Sequence, residues 1–237
     1  SFSRSPARPF SNAFTLAPVP GAVAAVGATS VLVETDANLT IDIEDLDRKA
    51  AISAARVLLL SHMRGHIADM QRVLAVCKAR GLMLVEDCAH TMGATFGGAR
   101  SGSHGDVACF STQTYKHINS GEGGFLTTND ARIAARATML SGSYMNFMRH
   151  GAGPDETEYK TTRYEMPNMS ARIDNLRAAL LIPQIEGLDG NVSRWNLRHD
   201  VLAGALRNVP GAVLPQGLAD VRRVGSSFQF RLPSADK

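Results

Sequence analysis

Short apolar runs alternate with helix-length stretches through the first 140 residues, and this alternation restricts the fold more than any other feature of the chain. Residues 29–34, 57–60, 82–85, 107–110 and 124–128 read as strands. Residues 45–55, 67–80 and 130–140 read as helices, and the acids that open 45–55 suit the positive end of a helix. Leu82-Met83-Leu84-Val85 is apolar without alternation, which predicts a strand buried on both faces of a parallel sheet. Parallel neighbours need a crossover of roughly a dozen residues, and the intervening helices supply it. The pattern predicts an α/β fold, a three-layer αβα sandwich around a mostly parallel sheet. Residues 141–166 lack a period and carry Gly142, Gly151, Gly153 and Pro154, so they read as a long loop. Residues 173–188 and 192–208 read as helices leading into a second, smaller domain, with the boundary placed between 185 and 186.

Composition narrows the function classes. A chain of 237 residues with 44% hydrophobic content is large enough to bury a core. Its net charge of +3 comes without a Lys/Arg run or a basic stripe, so no nucleic-acid partner is expected. No apolar stretch approaches the roughly 18 residues of a membrane span, and no signal peptide is visible at Ser1. Cys77, Cys88 and Cys109 are odd in number, lack C-x-x-C spacing and sit in apolar surroundings. They are expected to be small buried hydrophobes in a reducing, cytoplasmic compartment. The seven histidines form no metal-binding motif. His62 and His66 have Gly65 between them and read as turn residues.

The chemistry gathers around three groups. Glu86 and Asp87 end the strand at 82–85, and open α/β sheets bind ligands at the carboxyl ends of their strands. A carboxylate there can hold a pyridine nitrogen protonated, although Asp87 alone could equally cap the next helix. Ser111 ends the strand at 107–110. Lys116 follows between Tyr115 and His117-Ile118, ahead of Gly121-Glu122-Gly123-Gly124. A lysine stripped of hydration beside a cationic cofactor gives up its proton more readily, and it then acts as nucleophile and base. The glycines allow close backbone approach. Acid, serine and lysine in this order suit pyridoxal phosphate: the acid for the ring nitrogen, the serine for the phosphate, the lysine for the Schiff base.

These residues carry a family resemblance. Glu86-Asp87-Cys88-Ala89-His90, Gly105-Asp106 through Phe110-Ser111, and Lys116 five residues before Gly121-Glu122-Gly123-Gly124 resemble the DegT/DnrJ/EryC1/StrS sugar aminotransferases in residue type and spacing. Gly27–Glu34, the Leu60–His66 turn and Arg172–Ala179 resemble smaller family patterns, so the likeness runs from about residue 10 to 232. The resemblance implies the aspartate-aminotransferase fold (fold type I), with residues 1–185 as the cofactor-binding large domain and 186–237 as the start of the small one. It implies that the family's first helix, its glycine-rich phosphate loop and the rest of the small domain lie outside this sequence.

For the site, the resemblance makes Lys116 the Schiff-base lysine and Asp87 the partner of the pyridinium nitrogen. It sets His90 near the cofactor's phenolic oxygen, Ser111 on the phosphate and Phe14 against the ring. Asn168 is the candidate that reaches the phosphate of a partner subunit, from the polar segment 163–172. The implied activity is amino transfer, from glutamate by family habit, to a keto sugar that is nucleotide-linked, in a homodimer with shared sites. Dehydratase relatives carry histidine in place of the lysine; here residue 116 is lysine and His117 is one place off. A fold that binds pyridoxal phosphate without turning over, as a regulator or scaffold, is the remaining alternative.

Overall fold

The computed structural model describes residues 7–143, 147–149, 151, 153–167 and 169–233. In chain order the elements begin with β1 (Phe10–Asn12), α1 (Pro18–Ala25), β2 (Val31–Val33), α2 (Ile43–Ile52), β3 (Val57–Ser61), α3 (Met70–Arg80) and β4 (Met83–Asp87). The small strands β5 (Thr95–Phe96) and β6 (Ala99–Arg100) precede β7 (Val107–Ser111), β8 (Gly124–Thr128) and α4 (Ala131–Ser141). The chain continues through α5 (Glu156–Glu165), α6 (Asn175–Glu186), α7 (Leu188–Leu206) and β9 (Val221–Arg222).

Six strands form one sheet in the order β2-β1-β3-β4-β7-β8. All neighbours are parallel except β7 and β8. This is the expected α/β class, a mostly parallel sheet flanked by helices. The helices follow from local signals. Asp42 and Asp69 cap α2 and α3 by accepting from the backbone N–H groups of Asp45 and Arg72, which starts α2 earlier and α3 later than the residues 45 and 67 expected from the sequence. Gly81 ends α3 in the left-handed region (φ 63°), where a side chain would be strained. The main core joins Phe10, Val33, Leu58, Leu60 and Leu84 of the sheet to Leu46 of α2, Met70 and Val73 of α3, and Val192 of α7.

Burial on the sheet corrects one expectation. The strands are not buried on both faces among the described residues. Along β4, Leu84 and Glu86 are buried while Met83 is 43% exposed. Leu32 and Leu126 share that exposure. α2, α3 and α7 all contribute to the cluster that buries Leu84. The cysteines divide in the same way: Cys77 and Cys88 are buried, whereas Cys109 is exposed.

The long loop expected at 141–166 is also corrected. Its second half is α5, an all-polar helix apart from its tyrosines, opened by Asp155 and two acids in the first turn. Tyr159 is buried and stacks on Phe147 with ring centroids 4.3 Å apart, against Ala135 and Met139 of α4. Among the described side chains of α5 only Tyr159 and Thr162 are buried, so no apolar period was present to read. The gap expected between the last two helices shrinks to Gly187 alone.

Candidate active site

The carboxyl ends of β1, β3, β4 and β7 lie side by side, and side-chain hydrogen bonds tie them together. Asn12 at the end of β1 donates from Nδ2 to the carbonyls of Ser61 (3.0 Å) and Phe14 (2.9 Å) and accepts from the Ser61 N–H (2.8 Å). Ser61 at the end of β3 donates from Oγ to Asp87 Oδ2 (2.7 Å). The N–H of Ala89 donates to Asp87 Oδ1 (3.1 Å), and the N–H of His62 to the Asp87 carbonyl (3.1 Å). Asp87 is therefore held from β3 and from its own following turn, and among the described residues it caps no helix.

Strand alternation separates the two acids of the motif. Asp87 stays half-buried at the site. Glu86 points into the core and is fully buried. It accepts from the N–H groups of His104 (2.9 Å), Gly105 (2.7 Å) and Gly102 (3.2 Å), and it pairs with His62 Nε2 at 3.1 Å. Burial pushes its pKa up, but the His62 contact and the backbone donors outweigh burial and hold it below the usual carboxylate range. Glu86 thus braces the loop between β6 and β7 and stays out of the chemistry. His66 bonds Gln229 instead, at 3.0 Å, so the two histidines of the turn serve different walls.

Lys116 sits in a loop folded back on itself. The N–H of Thr112 donates to the carbonyl of Gly123, that of Thr114 to Gly121, and that of Lys116 to Gln113. Gly121 (φ 87°) and Gly123 (φ 140°) hold conformations that side chains disfavour, and a Cβ on Gly123 would meet Thr112 Oγ1 at 2.8 Å. Gln184 of α6 clamps the loop through both backbone groups of Asn119, and His117 Nε2 lies 2.7 Å from Ser226 Oγ. Ser111 ends β7, and its Oγ accepts from the Gln113 N–H at 3.3 Å.

Lys116 Nζ lies 3.2 Å from His90 Nε2. Burial lowers the Lys116 pKa, with Asp87 opposing and Arg64 assisting. Burial, followed by the charges of Lys116 and Arg64, pushes His90 down to about 4 against the pull of Asp87. His90 is therefore neutral at pH 7, and its Nε2 accepts from the lysine. Arg64 stands in the turn beside β3 in the left-handed region (φ 56°), a conformation that costs energy in an arginine and is typical of functional turns.

Sequence reasoning named Asp87, His90, Ser111 and Lys116. The structure brings His90 into contact with Lys116 and sets Asp87 and Ser111 at the ends of strands β4 and β7, which pair directly. Phe14 follows β1, with its carbonyl three hydrogen bonds removed from Asp87 through Asn12 and Ser61. Asn168 lies outside the described residues. Asn12, Ser61 and Arg64 were missed; the only available signal was polar residues closing otherwise apolar strand ends.

The neutral histidines lead to a prediction. Burial also lowers His117 to about 4. In the unfolded chain these rings take up protons near their ordinary pKa of about 6.5. Between that pH and 4 the unfolded state binds more protons, so stability falls as pH drops through the window. The thermal midpoint should be lower at pH 5 than at pH 7, and less so in His117→Gln. A midpoint indifferent to pH across this range would contradict the assigned neutral rings.

The model of the DegT/DnrJ/EryC1/StrS aminotransferase family matches residues 11–236. An L-glutamine:scyllo-inosose aminotransferase from Streptomyces griseus is 33% identical over 213 residues, 90% of this chain and 50% of that protein. A dTDP-3-amino-3,6-dideoxy-alpha-D-galactopyranose transaminase from Aneurinibacillus thermoaerophilus is 33% identical over 217 residues, 89% of this chain and 54% of that protein. Among solved structures, S. venezuelae DesV in complex with a ketimine intermediate superposes with a TM-score of 0.81 at 30% identity, covering 98% of this chain and 60% of that one. The chain spans about half the length of the curated relatives it matches. With a family model running nearly end to end and the motif residues gathered at one end of the sheet, the chain belongs to the DegT/DnrJ/EryC1/StrS aminotransferase family.

Proposed function

We propose that this chain carries the catalytic core of a pyridoxal phosphate-dependent aminotransferase that moves an amino group from an amino acid to the keto group of a nucleotide-linked sugar. The observation that carries the reading is Lys116, with its amine beside a neutral imidazole and its proton affinity reduced by burial. The residues suit the cofactor. Asp87 offers a fixed carboxylate, Ser111 a hydroxyl at a strand end, and the glycine-backed loop a close approach. When bound, pyridoxal phosphate supplies the electron sink for charge at the carbon that bears nitrogen.

The chain's own residues do the rest. Lys116 offers an amine that ionises less than a surface lysine, so it serves as nucleophile. When not bonded to the cofactor, the same amine would be the group placed to carry a proton from the substrate carbon. Asp87 keeps a proton on the ring nitrogen by charge. His90, neutral, holds the lysine amine in place. Ser111 donates to phosphate. The dehydratase alternative requires a histidine where this chain has Lys116.

The similarity to a dTDP-sugar transaminase supports the nucleotide-linked sugar, and the similarity to a glutamine:inosose enzyme makes glutamine a donor to test beside glutamate. The test is formation of the donor's 2-oxo acid in the presence of dTDP-linked 4- and 3-keto hexoses. Turnover with one of them is expected. No 2-oxo acid from either donor with any keto sugar or keto cyclitol would contradict the reading.

The working unit we propose is a homodimer with sites at the interface, to which Asn168 contributes. Support comes from α6, whose Leu176, Leu180 and Ile182 are 74, 52 and 59% exposed. An interface that covers them should exceed about 1,000 Å². Leu180→Glu should convert the dimer to monomer in sedimentation velocity. A wild-type chain that is monomeric while active would contradict it. Among the described residues no helix is long and apolar enough to cross a membrane.

A further inference from the structure

Parallel pairing sets Ser61, at the end of β3, directly across from Asp87, at the end of β4. Register partners share a face of the sheet. The pairs Leu59–Val85 and Ser61–Asp87 therefore lie on one face, and Leu58–Leu84 and Leu60–Glu86 on the other, the face of the core. Any side chain at position 61 stands beside the Asp87 carboxylate. Here it is a hydroxyl, and a hydroxyl that meets a carboxylate must donate. Ser61 commits its single proton to Asp87 Oδ2 at 2.7 Å.

Ser61 is itself held. The ladder between β1 and β3 runs through Phe10–Leu58 and Ser11–Leu59 and stops short of Ser61. The Asn12 amide continues it in place of a peptide group, accepting from the Ser61 N–H at 2.8 Å and donating to the Ser61 carbonyl at 3.0 Å. Asn12 and Ser61 are 2% and 5% exposed, so water does not compete for these bonds.

The terminal torsion of an aspartate is broad, and one donor would leave its carboxylate free to turn. Asp87 has a donor on each oxygen, Ser61 on Oδ2 and the Ala89 N–H on Oδ1 at 3.1 Å. Each oxygen keeps a further lone pair for another donor. A competing attraction is present: the charge of Asp87 acts on Lys116 through space, against the effect of burial. Yet among the described residues Asp87 forms no ion pair. Hydrogen bonds weaken steeply with misdirection, so the direction of this carboxylate decides how well it serves a ring N–H.

We propose that Ser61, clamped by Asn12, is the positioning residue of Asp87: its hydroxyl fixes the carboxylate in one orientation and thereby sets how firmly the ring nitrogen of pyridoxal phosphate keeps its proton. The proposal rests on the reading of Asp87 as the partner of that nitrogen.

The test compares Ser61→Thr with Ser61→Val, which are nearly isosteric, equally suited to a strand and different only in the hydroxyl. The chain is loaded with pyridoxal phosphate carrying nitrogen-15 in its ring, and the ring nitrogen is followed by NMR against pH. In Ser61→Val it should lose its proton about one pH unit lower than in the unsubstituted chain. There kcat should fall roughly tenfold while KM changes little, since Ser61 acts through Asp87. Ser61→Thr should recover most of both losses. A crystal structure of Ser61→Val should show the Asp87 carboxylate turned from its present orientation. Asp87→Asn serves as the reference in the same titration. If Asp87→Asn moves the titration of the nitrogen and Ser61→Val leaves it in place, the proposal is overturned and the role of Asp87 stands. If neither moves it, the reading of Asp87 falls and the proposal with it. Equal losses in Ser61→Thr and Ser61→Val would reduce Ser61 to a packing role and likewise overturn the proposal.

Discussion

Replacing Lys116 with alanine should lower amino transfer by at least about a thousandfold, because the nucleophile and the proton carrier are lost together. The fold should survive. Lys116 contributes its side chain to one hydrogen bond, to His90, whereas the loop is held by backbone bonds to Gly121 and Gly123 and by the Gln184 clamp. Cofactor should still bind non-covalently through Asp87 and Ser111. The informative pair of measurements is single-turnover rate against cofactor dissociation constant: the first collapses while the second changes modestly. Undiminished transfer in Lys116→Ala would contradict the assignment outright.

Asp87→Asn should lower turnover by about two to three orders of magnitude, within the range expected for losing a charge matched to a proton. The side chains are nearly isosteric, and Asn retains an oxygen to accept from Ser61 Oγ or the Ala89 N–H. It carries no charge to keep a ring nitrogen protonated. Cofactor affinity should therefore fall much less than kcat. Near-normal turnover would reduce Asp87 to a local brace for β3 and β4. Asp87→Glu restores the charge but lengthens the side chain, so it should recover part of the activity if charge is what matters.

Legibility in the sequence followed the range of the interactions. β7 and β8 were readable because their residues are consecutive, and Lys116 stood out because serine, lysine and glycines lie within a few residues of one another. The separate roles of Glu86 and Asp87 were present in the strand's period of two: Leu84 and Glu86 share the buried face, which leaves Asp87 for the site. The Asn12–Ser61–Asp87 chain was not readable, since its links span 49 and 26 residues. β1 was missed because three residues with two polar side chains make no pattern. α1 was missed because Pro18–Ala25 is built from prolines, glycine and small apolar residues without a polar face. α5 hid for the opposite reason, its single large buried side chain being Tyr159.

The central claim is that Lys116 is the covalent anchor of pyridoxal phosphate. Borohydride reduction of the cofactor-loaded chain, followed by proteolysis and mass spectrometry, tests it directly. The account predicts the mass of a reduced pyridoxyl phosphate group on the peptide containing Lys116, and on no other lysine in stoichiometric amount. A reduced cofactor attached to a different lysine, or none attached to a chain that nevertheless transfers amino groups, would contradict it.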